Sequence, residues 1–164
     1  NRLDQHEKVM EFINWINKRI VRMGPSHYFP KLQTAIAHTY IKIDDYDLAL
    51  EHYQYALTGF IETKYPLETA EGYHNVARAL QGKKYYDQAI PSFEKALEWM
   101  NSAVDRGDYS IEAKNYTLLR LAETRQQNGQ YIQAKLLLKE VKPKDVDKGN
   151  IILYQKLKMN ELSN

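Results

Sequence analysis

The sequence predicts an all-α fold: a lone helix, three helix-turn-helix pairs stacked as a solenoid, and a closing helix. Three observations predict it. First, one spacing of small and aromatic residues recurs in three segments. It runs Ala37, Tyr40, Tyr46, Ala49, Tyr53, Ala56, then Ala77, Leu80, Tyr86, Ala89, Phe93, Ala96, then Ala122, Arg125, Tyr131, Ala134, Leu138, Val141. The offsets are 3, 6, 3, 4 and 3 in every copy, and the copies are displaced by 40 and then 45 residues. Self-similarity on this scale marks a repeat array. Second, the 164 residues include only 7 Gly and 5 Pro, so helix breakers are few. Third, no stretch alternates apolar and polar residues with β-branched enrichment, so no sheet is expected.

The elements follow in order. Val9, Phe12, Ile13, Ile16 and Ile20 recur at helical spacing and make 3–23 one helix. Gly24, Pro25 and Ser26 end it, because Gly suits a C-terminal cap and Pro cannot continue the hydrogen-bond ladder. The first pair is 29–43 and 46–63, turning at Asp44–Asp45, with Asp47 marking the second start. Pro66 falls in the next connection. The second pair is 68–81, broken at Gly82, and 86–104, with Pro91 in or just past the first turn. Arg106–Gly107–Asp108 is a loop. The third pair is 110–128, broken at Gly129, and 131–141, stopped by Pro143. A last helix, 150–162, has no partner in the pattern.

Within a pair, Ala37, Ala77 and Ala122 on the first helix let the second approach closely. Ala49, Ala89 and Ala134 do the same in return. Tyr46, Tyr86 and Tyr131 pack at the turn, and Tyr53, Phe93 and Leu138 reach the following repeat. Trp15 and Trp99 fall in helical stripes and are expected in the core or an interface.

With these residues in place the chain resembles the tetratricopeptide repeat. The first copy carries Ile36–Ala37, Tyr40, Tyr46–Asp47–Leu48–Ala49, Tyr53 and Ala56–Leu57. The second carries Tyr73, Val76–Ala77, Tyr86–Asp87–Gln88–Ala89, Phe93 and Ala96–Leu97. The third is degenerate but keeps Leu121–Ala122, Tyr131–Ile132–Gln133–Ala134 and Pro143. The resemblance implies a right-handed α-solenoid of such repeats in a single domain, 1–164. Its parts are a flanking helix 1–24, repeat pairs 29–63, 68–104 and 110–143, and a terminal helix 150–162. Standard copies are about 34 residues long. Here the extra length falls after the second helices, from Thr58 to Thr69 and from Trp99 to Ser110. In that respect the chain is similar to the Rap, NprR and PlcR peptide-sensing regulators of Gram-positive bacteria. That narrower resemblance implies a cytoplasmic sensor domain of a quorum-sensing transcriptional regulator. The alternative is a general scaffold for protein assembly.

Composition excludes several classes. With 23 basic and 21 acidic residues, net +2, the chain has no strong pull toward nucleic acid or anionic lipid. It has no Cys, which removes disulfides, thiolate metal sites and a Cys nucleophile. No apolar run approaches the ~20 residues of a membrane span. The chain opens with Asn1 already in helical pattern, which suggests a piece of a longer protein. No phosphate loop, nucleophile elbow or His-Glu-x-x-His motif is present, so no enzyme activity and no cofactor are expected.

The resemblance implies that the first helix of each pair lines a concave face and binds a short peptide or protein segment. Helical spacing then gives the inward positions. The first pair offers Lys31, Thr34, His38 and Lys42. The second offers Glu71, His74, Asn75, Arg78 and Gln81. The third offers Tyr116, Leu119, Arg120, Glu123 and Gln127. The expected peptide-binding set is Asn75, Arg78, Arg120, His38, His74, Glu71, Tyr116 and Glu123. Asn75 leads it, because one amide both donates to and accepts from a peptide backbone. Arg120 is placed to meet a carboxylate bidentately, or to pair with Glu123 or Glu71. A chaperone-type carboxylate clamp matches only at Asn75 and Arg120; Thr34, His38 and Tyr116 depart from it. His38 and His74 lack a third ligand at metal spacing, so no metal site is expected. The end helices raise the expectation of a homodimer, with Ile151, Ile152, Leu153 and Leu157 as capping or dimer contacts.

Overall fold

The computed structural model describes residues 2–23, 29–105 and 110–163. Eight α-helices account for most of them: α1 (Arg2–Met23), α2 (Phe29–Lys42), α3 (Tyr46–Glu62), α4 (Pro66–Gly82), α5 (Tyr86–Asp105), α6 (Ile111–Gln127), α7 (Tyr131–Glu140) and α8 (Ile151–Ser163). A short 3-10 turn, Pro143–Asp145, precedes α8. No strand occurs among the described residues. The breaks expected at Gly24–Pro25–Ser26 and Arg106–Gly107–Asp108 lie outside them, as do the side chains of His6, Ile20 and His27.

Consecutive helices from α2 to α7 pack on one another, and α4 also touches α6. The six signature alanines, Ala37, Ala49, Ala77, Ala89, Ala122 and Ala134, are all 0% exposed. A methyl group at each crossing leaves room for two helix backbones to meet, as the pattern requires. Around them a continuous buried cluster runs from Ile13 and Ile16 on α1 to Leu157 on α8.

The turns share one hydrogen-bond motif. The N–H of Asp45 donates to the carbonyl of Tyr40 at 3.0 Å, Tyr65 to Phe60 at 3.1 Å, Tyr85 to Leu80 at 2.9 Å and Gln130 to Arg125 at 2.7 Å. Each bond closes the Schellman arrangement, which needs a left-handed residue just after the helix. Asp44, Lys64, Lys84 and Gly129 fill that position, with φ of 60°, 58°, 63° and 74°.

Several expectations need correction. Pro66 is the first residue of α4, so that helix starts two residues earlier than expected. Proline suits this position because its missing N–H has no helical partner there and its φ is already helical. The α3 cap is Asp45, not Asp47: the Asp45 Oδ1 accepts from the Leu48 N–H at 3.2 Å. Gly82 does not break α4 but closes it. Its missing side chain leaves the space that the Tyr46 ring occupies. Besides any reach to the next repeat, Tyr53 and Phe93 also find partners within their own pairs, against His38 and His74. Tyr131 packs less than its counterparts and is 46% exposed. Trp15 and Trp99 are not core residues, at 54% and 42% exposed. Trp15 instead carries the Arg19 guanidinium 4.0 Å above its ring and stacks on Phe12 at 6.2 Å.

The last helix does have a partner. It lies against α6 and α7, with Leu157 buried and Leu153 and Tyr154 beside it. The Gln126 amide fastens it by donating to the Leu157 carbonyl at 3.1 Å. Ile152 stays outside this contact, at 73% exposed.

Candidate functional site

Helices α2, α4 and α6 place side chains around two adjoining cavities. One, of about 300 Å³, is bordered by His38 of α2, Glu71, Asn75 and Arg78 of α4, and Tyr116 of α6. His74, Thr117, Ala113 and Met100 of α5 line it as well. The other, of about 340 Å³, is bordered by Lys31, Thr34, Phe60, Leu67, Glu68 and Gly72, and again by Glu71 and Asn75. Glu71 and Asn75 therefore stand where the two meet.

Tyr116 organises the deeper end. Its hydroxyl accepts from Arg78 Nη1 and from Arg120 Nε, the latter at 3.2 Å. The Arg120 guanidinium lies 5.1 Å from the ring centroid and that of Arg78 5.8 Å, both within cation–π range. Arg120 also donates to Glu123 Oε2 at 2.9 Å, and the Gln81 amide donates to the same oxygen at 3.0 Å. Of the two partners foreseen for Arg120, Glu123 is the one it takes. Arg78 makes no ion pair among the described residues.

His74 and His38 differ from simple lining groups. His74 is 7% exposed and is wedged between the rings of Phe93 and Tyr116, with centroids at 5.4 and 5.1 Å. Thr117 Oγ1 lies 2.9 Å from its Nδ1 and donates its own proton to the Ala113 carbonyl at 3.2 Å. The hydroxyl must then accept, which places a proton on Nδ1. Burial, with the charges of Arg78 and Arg120 adding to it, pushes the imidazole pKa down to about 3. His74 is thus a neutral packing residue. His38 shares a 2.7 Å hydrogen bond with the Tyr53 hydroxyl, and burial first, then Lys42 and Arg78, lower its pKa. Burial pushes the Tyr53 hydroxyl up, so it stays protonated.

At the other end Lys31 pairs with Glu68 at 3.0 Å. Glu71 forms no ion pair among the described residues, and loss of water, then the Glu68 charge, raise its carboxyl pKa. Asn75 is half-buried between these charges, and its amide has no hydrogen-bond partner among the described residues. A half-buried amide left unpaired by its own protein is suited to grip a ligand.

The structure brings together seven of the eight expected side chains around the deeper cavity or its Tyr116 network, and places Glu123 behind Arg120. Leu119, expected to face inward, is wholly buried in the core instead. The spacing also missed Met100, Thr117, Phe60 and Leu67. Met100 and Phe60 come from second helices, which were not expected to contribute. No cluster of three or more His, Cys, Asp or Glu among the described residues could hold a metal ion. No described helix is long and apolar enough to cross a membrane. The site offers hydrogen bonds and charges to a ligand.

Residues 30–58 and 70–100 match the model of the tetratricopeptide repeat. The degenerate third copy lies outside the matched residues. The fold is similar to the crystal structure of the TPR domain of Arabidopsis FLU, with a TM-score of 0.63 at 17% identity, over 71% of this chain and 93% of that one. No curated protein matches the chain by sequence. Two segments that match the repeat model, and a helical architecture similar to that of a TPR domain, lead to one conclusion: the chain is an all-α helical-repeat solenoid.

Proposed function

We propose that this chain is a non-catalytic recognition module that binds a short extended peptide, or a segment of a protein, along the concave face formed by α2, α4 and α6. The unpaired Asn75 amide at the junction of the two cavities carries this reading. An extended peptide has an N–H and a C=O that no helix satisfies, and one carboxamide answers both. Arg78, with spare N–H groups, and Glu71, with an unpaired carboxylate, add charge recognition.

The narrower proposal is a sensor domain of a bacterial peptide-responsive transcriptional regulator. It is supported by the length of the second helices, 17 residues in α3 and 20 in α5. A general assembly scaffold uses the same groove and is supported equally by the repeat match. Exposed apolar groups at the ends, such as Trp15 and Ile152, suit that second reading and also a homodimer.

The test is selection of nonapeptides from a displayed library against the chain, followed by calorimetric titration of each winner. Replacing Asn75 by Ala should weaken binding about tenfold or more, the effect of losing hydrogen bonds worth about 1–3 kcal/mol, without lowering the melting temperature. Winners that bind the Asn75→Ala variant with undiminished affinity contradict the reading.

A further inference from the structure

Charge along the groove is not evenly cancelled. Lys31 neutralises Glu68 at 3.0 Å, and Arg120 neutralises Glu123 at 2.9 Å. Of the charged groups that line the two cavities, Glu71 and Arg78 remain, and among the described residues neither forms an ion pair with the other or with any third group. Glu71 borders both cavities, whereas Arg78 borders only the deeper one. The groove thus has a lone carboxylate toward one end and a lone guanidinium toward the other, with the Asn75 amide between them.

Their separation is set by the helix that carries them. Glu71 and Arg78 are seven positions apart on α4, so their backbones are about 10.5 Å apart along the axis at 1.5 Å per residue. In an extended peptide of polyproline II form, side chains three residues apart emerge on the same side, about 9.3 Å apart. The two lengths agree to roughly one ångström. A β-strand peptide agrees less well, since its same-side residues are two or four apart, about 7 or 13 Å.

The walls suit such a ligand. Beside Glu71, Phe60 and Leu67 line the second cavity and offer apolar surface to the methylene stem of a long basic side chain. Arg78 has spent one N–H on Tyr116 and keeps others for a carboxylate.

We propose that the groove selects a dipolar peptide, with a basic side chain at Glu71, an acidic side chain three residues away at Arg78, and the peptide unit between them on Asn75. This rests on the peptide-groove reading above and adds to it the charge pattern and spacing of the ligand. A peptide with like charges sets one of them against an unmatched group, and a neutral peptide leaves both groups uncompensated.

The test uses capped nonapeptides in a proline- and alanine-rich host. Two carry one Lys and one Glu three residues apart, in opposite orders; others carry two Lys, two Glu or neither. Binding to the full chain is measured by calorimetry at low salt. One dipolar order is expected to bind about tenfold or more tighter than the like-charge and neutral peptides. Glu71→Gln and Arg78→Gln should each remove that advantage. The exchanged double variant, Glu71→Arg with Arg78→Glu, should favour the opposite order. Equal affinity for all peptides, or a preference that survives both single variants, overturns the proposal. If the equal binding is lost in Asn75→Ala, the groove reading stands and only the charge pattern fails. If none of the peptides binds, both fail.

Discussion

His74 shows how much a single residue's position decides. Its spacing on α4 places it with the groove residues, yet the rings of Phe93 and Tyr116 close over it and Thr117 takes its one N–H. The folded imidazole has a pKa near 3, against 6.5 for an unhindered one. Between those values the unfolded chain binds the extra proton and the folded chain does not. The stabilisation is therefore complete above about pH 6.5 and is lost as pH falls toward 3. From about pH 7 to pH 5 this one group should cost about 2 kcal/mol of unfolding free energy. Burial lowers the His38 and His52 pKa values too, so their effect has the same sign. Denaturant titrations at the two pH values measure the drop, and in His74→Gln it should shrink by most of that amount. An unchanged drop would mean that His74 is not held neutral by the fold. Asn75 differs: its amide has no hydrogen-bond partner among the described residues, so its position on α4 leaves it available.

Helices were legible because their signals are local. Apolar periodicity, the breaker at Gly129 and the stop at Pro143 all lie within a few residues of the feature they determine. Starts and turns were harder. Pro66 reads equally as loop or as first helical residue until its neighbours are placed, and either Asp45 or Asp47 can begin α3. The left-handed residues at 64 and 84 were not legible at all, since lysine has no preference for that conformation. A side chain there strains against the following carbonyl, which glycine avoids. Lys84 is exposed and makes no side-chain hydrogen bond, so its replacement sacrifices little beyond its contact with water. Lys84→Gly is expected to raise the unfolding free energy by about 0.5–1 kcal/mol, read from the midpoint of a denaturant curve. Asp44→Gly should gain less, because the Asp44 carboxylate also accepts from the Tyr46 hydroxyl at 3.0 Å. A loss of stability in Lys84→Gly would contradict the turn geometry. The partner of α8 was hidden for another reason. Leu157 meets Gln126 of α6 across 31 positions of chain, and no period connects them.

At the scale of the whole molecule, the repeat gives the order of the helices, and stacking then brings α2, α4 and α6 side by side. That made the lining of the groove largely readable, since positions free of the alanine and aromatic pattern had to face away from the pair interfaces. It did not tell which charges would cancel. The pairing of Lys31 with Glu68 and of Arg120 with Glu123 depends on distances between side chains on α2 and α4 and on one turn of α6. Only those pairings reveal that Glu71 and Arg78 are left without an ion pair among the described residues. Nor did the repeat show that second helices supply part of the wall, through Phe60 and Met100. The central claim is that a peptide lies in this groove across Asn75. The most direct measurement is a titration of the ¹⁵N-labelled chain with the favoured dipolar nonapeptide, following backbone and side-chain amide resonances. The expected result is a saturable shift of the Asn75 carboxamide, with further shifts confined to its neighbours on α2, α4 and α6. Saturable shifts that leave Asn75 unmoved and gather on α1 or α8 would contradict the claim.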